Sequence, residues 1–495
     1  MGKVSRPGLA LALSVFATGA QAQVVQGWLE LRWGDPRPGA GGIAAGARPQ
    51  AKLRAVLVTG YGQRIPLDSV QSLRAAGDLH ALMGRRIAVQ FDAAAPRPHV
   101  AQRAIAAIVP ADDIGGQRMH PLAGGVDAVP PARTGSRRWL TIACKFSDIA
   151  TEQKTIAFFR GQYGEETGRL GHYWRDVSYG RIDLSGSDAV GWYVLPHPRA
   201  HYVTKDDRGN ESADLGALFR DCTQAADAGV DYDTLFGINL MFNGELDGYA
   251  WGGSYCAVLD GRQRCFPATW NPPWAFNNLA PLAHEMGHGF GLPHSDNSDG
   301  DDDEYDNPWD VMSDGWSNAV NDATYGTRPK HIAMVQRDRL GWVDAARKHT
   351  LMPFEGHESV RVALDYASLP AGQSSNLQML VLQAHQAPDP YSGIFYTLEA
   401  RRRGNSHPYE GALAGDAVII HRVGPGYSFI ARSQDADRPP ADVSNNEGSM
   451  FKPGESWISP DGLFRVDIES QTATGFVVRI SRPVVTGGRL PLRRR

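Results

Sequence analysis

The chain is short of several things. It has 4 cysteines in 495 residues, and none falls between residues 23 and 138. Beyond its first two dozen positions no apolar run approaches membrane-spanning length, and no segment repeats at a fixed period. Its net charge is only −4, so no global basic field recommends nucleic acid as a partner. What is there is ordinary globular material. Hydrophobic residues at 42% and charged residues at 21% exclude a disordered, collagenous or coiled-coil chain. The 55 glycines and 32 prolines favour many turns over long helices, and the length suggests two to four domains.

The first 22 residues read as a signal peptide. Lys3 and Arg6 precede the apolar stretch 9–20, and Ala20-Gln21-Ala22 is a small-x-small cleavage site. The alternative is an uncleaved N-terminal anchor. The expected location is therefore outside the cytoplasm, extracellular or periplasmic, where disulfides are permitted. Cys256 and Cys265 flank Asp260-Gly261, a hairpin-turn signal, which pairs them across the hairpin and leaves Cys144 for Cys222.

Three textures follow. Residues 23–130 read as a β-rich domain that could be a propeptide, with alternating runs at 27–33, 53–58 and 85–91. Residues 131–138, with proline, glycine and three arginines, read as an exposed linker open to trypsin-like cleavage. Residues 139–345 mix the two periods. Strands are expected at 139–146 and 237–242, and helices at 155–163, 168–177, 277–290 and 329–340. From 346 to 495 strands return without helices, at 379–382, 395–398, 417–421, 464–468 and 476–480, which suggests a β-sandwich. The expected fold class is α+β, a mixed-sheet domain with an active-site helix between two β units.

One segment carries the chemistry: His284-Glu285-Met286-Gly287-His288-Gly289-Phe290-Gly291-Leu292-Pro293-His294. Positions i and i+4 of a helix share a face, so His284 and His288 can aim at one metal. Glu285 lies beside that face, within reach of a water. A catalytic zinc wants a third protein ligand. Gly291 can adopt positive φ and turn the chain so that His294 swings back. The extra Gly and His at fixed offsets lower the chance of an accidental match to about one in ten thousand. The bland alternative is histidines satisfied by core hydrogen bonds, or a degenerate site.

This extended motif resembles the metzincin signature. The resemblance implies a methionine turn beneath the site, for which Asn307-Pro308-Trp309-Asp310-Val311-Met312-Ser313 is the candidate. Some metzincins place a tyrosine two residues after that methionine. Asp314 stands there instead, so no such donor is assigned, and Tyr305 lacks the spacing. Phe146-Ser147-Asp148, His172 to Leu184, Gly191 to Pro196, Leu340 to Val343, Tyr396 to Arg401 and Gly415 to Val423 are similar to segments of immune-inhibitor-A-type secreted metalloproteases. The third ligand, His294, is more like the gametolysin group. The resemblance implies a secreted Zn2+ endopeptidase acting on proteins or peptides, with His284, His288 and His294 on the metal and Glu285 as general base. Some relatives cover the zinc with a propeptide cysteine, which residues 23–138 lack. Another ligand from that segment could do so, and the sequence does not show which.

Two further expectations concern the surroundings. The substrate is expected to lie extended along a strand edge, with residues 237–242 the candidate edge. Asp296, Asp299, Asp301, Asp302, Asp303, Glu304, Asp306 and Asp310 form an acidic loop that could bind Ca2+ or could simply be solvated. Two rival functions remain open: a zinc hydrolase of non-peptide amides or esters, and a surface or matrix binding protein with a vestigial metal site.

Overall fold

In the computed structural model, residues 23–37, 50–92, 104–113, 133–300, 303–354, 358–370, 372–384, 393–404, 407–424, 430–437 and 446–483 are described. The expected signal peptide, Asp301, Asp302 and the linker positions 131 and 132 lie outside them. The chain is mixed α+β and mostly sheet, with 20% helix and 38% strand.

The N-terminal runs form β1 (Gln23–Pro36), β2 (Lys52–Val58), β3 (Arg64–Leu67), the short helix α1 (Ser69–Ala76), β4 (Arg86–Phe91) and β5 (Ile105–Pro110). Leu29, Leu31, Leu57, Leu82, Ile87 and Val89 close a small core beneath them. The next unit contributes β6 (Trp139–Lys145), α2 (Ile156–Gln162), α3 (Leu170–Val177), β7 (Asp188–Val194), α4 (Leu215–Ala226), β8 (Gly237–Phe242), β9 (Tyr249–Leu259), β10 (Arg262–Asn271), α5 (Leu279–Phe290) and α6 (Met334–Arg339).

These strands build one ten-stranded sheet, in the order β3-β2-β1-β9-β10-β8-β6-β7, with β4 paired to β1 and β5 to β4. Strands β7, β6, β8 and β10 are parallel and β9 is antiparallel to β10. Apolar side chains cover both faces. Leu140, Ile142, Ile238 and Leu240 pack towards α4, whereas Trp139, Ala143 and Met241 pack towards α3 and α5. That two-sided burial explains why these strands read as continuous apolar runs. Two corrections follow. The sheet does not break near residue 130, because β1 continues it by pairing with β9 from Arg32–Gly253 to Pro36–Tyr249. Nor is 237–242 an edge, since β8 lies between β6 and β10; a run buried at every position is a central strand, not a rim.

The linker is not free over its described part. The Arg133 N–H donates to the Leu340 carbonyl at 3.0 Å. Gly135–Ser136 pairs in parallel with Ile182–Asp183. The helix expected over 329–340 covers only Met334–Arg339. Lys330 and His331 before it are buried and spend their side chains on Asp314 and Asp176, which holds that stretch out of the helix.

Towards the C-terminus two sheets share one core. A six-stranded sheet runs Ser295–Asn297, Ala431–Ser433, Ala417–Val423, Phe395–Arg401, Met379–Gln383, Lys348–Leu351, and a four-stranded one runs Ser359–Asp365, Gly475–Ser481, Arg465–Gln471, Ser456–Ile458. Leu380, Leu398 and Ile420 of the first meet Val466, Phe476 and Val478 of the second. Residues 295–297 belong to this sheet although they follow His294 directly, so the C-terminal unit anchors the loop leaving the motif. Cys144 is bonded to Cys222, and Cys256 to Cys265. Among the described residues no helix is long and apolar enough to cross a membrane.

Candidate metal centre

Helix α5 carries the centre. Leu279, Ala280, Leu282, Ala283 and Met286 suit a helix packed on all sides, and all of its residues are buried. Pro281 stands in the first turn, where a missing N–H costs no intrahelical bond. The helix ends at Gly291, left-handed with φ 95° and ψ 21°. The Gly291 N–H donates to the His288 carbonyl at 2.9 Å, and that of Leu292 to the Gly287 carbonyl at 3.1 Å. This reversal does two things. It returns His294 to the helix face, and it turns the Leu292 carbonyl towards Nδ1 of His288, 2.8 Å away.

The other imidazoles are held in the same manner. His284 Nδ1 lies 2.7 Å from the Val311 carbonyl. His294 Nδ1 bonds the Glu304 carboxylate. Carbonyls and carboxylates only accept, so each Nδ1 is the donor and each Nε2 faces inward. The three Nε2 atoms stand 3.1, 3.1 and 3.2 Å apart. Lone pairs at that separation repel unless something positive lies among them. Three nitrogens held roughly 2.0–2.1 Å from one tetrahedral ion would be about 3.3–3.4 Å apart, so the donor set and its spacing fit zinc.

A fourth donor comes from the N-terminal unit. Asp35, next to the last residue of β1, places Oδ1 2.7 Å from His294 Nε2 and 3.4 Å from His284 Nε2. Its Oδ2 is 3.4 Å from His288 Nε2, buried and without a hydrogen-bond partner. Burial would raise Asp35, but the His294 and His284 imidazoles beside it hold it well below the usual carboxylate range. Burial lowers His294, and Asp35 with Glu304 outweighs it, pushing the imidazole up to about 10. One proton on His294 would satisfy that pair alone. A divalent cation would satisfy all four groups.

Glu285 lies beside these groups. Its Oε2 is buried and unpartnered. Burial, then the neighbouring Asp35 carboxylate, raises it well above the ordinary carboxylate range. Strand β9 passes so close that a β-carbon on Gly252 would stand 2.6 Å from Glu285 Oε2; only glycine fits there. Met312 is fully buried beneath the helix, against Gly287.

The structure thus brings together His284, His288 and His294, with Glu285 adjacent and Met312 below. Sequence reasoning missed three neighbours: Asp35, Glu304 and Tyr305. The Tyr305 hydroxyl donates to Asp35 Oδ1 at 2.7 Å, and its ring centroid is 5.4 Å from that of His294. Tyr305 was set aside on spacing, but the loop folds it back onto the site. For Asp35, no local signal was available, since β1 also carries Glu30 and Arg32.

The acidic loop is used piecemeal. Glu304 orients His294, Asp310 accepts the Met312 N–H at 2.9 Å, and Asp296 lies 3.3 Å from Arg432. Among the described residues no three carboxylates of this loop converge. A second cluster, Asp176, His331 and His407, joins α3 to the C-terminal unit. There Nδ1 of His407 accepts the N–H groups of Tyr409 and Glu410 at 3.3 and 3.1 Å, which leaves the proton on Nε2, facing Asp176 at 4.0 Å. That cluster is a hydrogen-bonded brace.

No family model matches the chain, and no curated protein does. Among solved structures, two crystal forms of wild type OgpA from Akkermansia muciniphila are similar at 13% identity. The first covers 67% of this chain and 92% of that one with a TM-score of 0.26, the second 61% and 78% with 0.27. A likeness this faint carries no argument about fold or chemistry, so the reading of the site rests on its own residues.

Proposed function

We propose that the chain is an exported zinc endopeptidase of the metzincin type, with His284, His288 and His294 as metal ligands and Glu285 as general base. The observation that carries this reading is the triangle of Nε2 atoms, each imidazole fixed from behind through Nδ1. The helix ending at a left-handed glycine and the methionine below it support the same class. Zinc, when bound, supplies Lewis acidity that makes water a nucleophile near neutral pH and polarises a carbonyl.

The residues do the rest. Glu285 lies beside the three imidazoles, placed to take a proton from the attacking water and return it to the leaving amine. Burial of the whole helix excludes bulk water from behind the site. Val311, Leu292 and Glu304 hold the imidazoles in the tautomer that presents Nε2 inward. The test is digestion of casein against hydrolysis of small esters by the full chain, before and after limited trypsin treatment, with and without a chelator. Chelator-sensitive casein cleavage restored by zinc is expected. Ester hydrolysis without casein cleavage would move the chain to another hydrolase class.

A further inference from the structure

We propose that Arg401, from the C-terminal sheet, is a positioning residue for the metal centre: it holds the Trp309 carbonyl of the turn beneath the site, and through that turn it sets the Val311 carbonyl behind His284. The inference rests on the metal-centre reading above and makes the C-terminal unit part of the apparatus that aims a ligand.

The strand Phe395–Arg401 alternates. Tyr396, Leu398 and Ala400 enter the sandwich core, which sends Glu399 and Arg401 to the other face, towards the turn 307–313. Arg401 is fully buried there. Its Nε donates to Glu410 Oε1 at 2.9 Å, and its Nη1 donates to Glu399 Oε1 at 3.0 Å and to the Trp309 carbonyl at 2.5 Å. Glu399 in turn accepts the Met334 N–H at the start of α6. A buried guanidinium is costly to desolvate, and apolar side chains in place of such a charge network often leave a protein equally stable. What the guanidinium supplies here is a planar fork that serves two carboxylates and a turn carbonyl at once.

Four carbonyls of the turn have donors. Pro308 takes the Lys330 ammonium at 2.9 Å, Trp309 takes Arg401, Val311 takes His284 Nδ1 at 2.7 Å, and Met312 takes the Ser295 N–H at 3.1 Å. Asp310, between Trp309 and Val311, is locked as well. Its carboxylate accepts the Met312 N–H at 2.9 Å, and its carbonyl accepts the Ser313 N–H at 3.1 Å. A shift of Trp309 therefore passes to the Val311 carbonyl. The C-terminal unit grips the same turn at two more points. The Trp309 indole donates to Ser449 Oγ at 2.9 Å and packs among Leu413, Ala417 and Ile419. The Asn307 amide donates to His421 Nε2 at 3.2 Å. The bond made by a ligating imidazole's second nitrogen fixes how the ring points, so His284 is aimed from a sheet distant in sequence from its own helix.

The test uses the full chain, stripped with a chelator and reloaded with Co2+, whose visible absorption reports ligand geometry without any turnover. Arg401→Lys keeps the buried positive charge but cannot serve the carbonyl and both carboxylates together. Its bands should shift from the parent's, and its Co2+ affinity should fall about tenfold, the lower end for loss of support behind a metal ligand. Val466→Ala, in the sandwich core, lowers stability by a different route, and its bands and affinity should match the parent's. Unchanged bands and affinity in Arg401→Lys would overturn the proposal. So would equal changes in Val466→Ala, which would make the effect one of stability alone. If Arg401→Lys does not fold, Arg401→Met combined with Glu410→Gln takes its place, because it leaves the net charge of Arg401, Glu399 and Glu410 as it was. The same shift is expected there, and its absence would equally overturn the proposal. The two readings separate. A parent that binds no Co2+ rejects the metal centre and this proposal together, whereas shifted bands in a chain that does not cleave casein keep the role of Arg401 and reject the peptidase.

Discussion

The sulfur of Met312 rests against Gly287 in the space that a β-carbon at 287 would occupy. Helix and turn therefore touch at the one position between the two helical histidines where no side chain intervenes. A methyl group there must push the turn away, and the turn holds His284 through the Val311 carbonyl. Gly287→Ala is expected to cost about 1–3 kcal/mol by overpacking and to weaken zinc binding. Thermal unfolding and a zinc titration check this. An unchanged affinity would mean that Met312 is filler and not a floor.

Gly291 is different, because its surroundings have room. The nearest atoms to an added β-carbon are 3.7 Å away, so the penalty comes from the backbone, at φ +95°. Gly291→Ala should cost about 1–2 kcal/mol. It should also weaken zinc binding more than that loss of stability explains, since both the Leu292 carbonyl behind His288 and the path to His294 depend on this turn.

Tyr305 now spends its hydroxyl on Asp35. Its ring lies against that of His294, which puts the same donor beside the three imidazoles. Tyr305→Phe is expected to lower kcat by about a hundredfold, the usual loss for one donor to a developing oxyanion. KM, zinc content and thermal stability should change little. A rise in KM at constant kcat would make Tyr305 a binding residue.

Asp314 stands where some metzincins carry tyrosine, and it has a structural task. Its Oδ2 is 3.1 Å from the Lys330 ammonium, and both side chains are buried. Burial would raise Asp314, but Lys330 and the N–H groups of Trp316 and Ser317 hold it below the ordinary carboxylate range. A depressed folded pKa adds stability that is present above about pH 4, the unfolded value, and disappears as pH falls through the folded one. Asp314→Asn should therefore lose about 3 kcal/mol near neutrality, where it strands a buried ammonium. Its melting temperature should fall less steeply than the parent's between about pH 5 and pH 3. Parallel pH curves would contradict this.

How much of this was legible beforehand depends on range. His284, His288 and His294 lie within one helix and one turn, so spacing alone could bring them together. The strands were legible for the same reason, as runs such as 139–145 and 417–423 alternate or stay apolar over a few residues. What was hidden depends on distant pairing. A strand's pattern does not say which edge it joins, so β1 read as part of a separate domain although it completes the sheet over the site. Asp35 is 259 residues from His294, and no local rule links them. Glu304 and Tyr305 sit in a polar loop whose path is set by Ser295–Asn297 docking on the C-terminal sheet. The helix expected over 329–340 shrank because Lys330 and His331 found buried partners, a tertiary effect that propensity does not see.

The most direct measurement is a comparison of Glu285→Gln with the parent, each before and after limited trypsin treatment, for bound zinc and for casein cleavage. The account predicts one zinc per chain in each, an unchanged fold, and a loss of cleavage of at least about a hundredfold in the variant, as expected for removal of a general base. Cleavage by Glu285→Gln at the parent's rate, with zinc still bound, would contradict it.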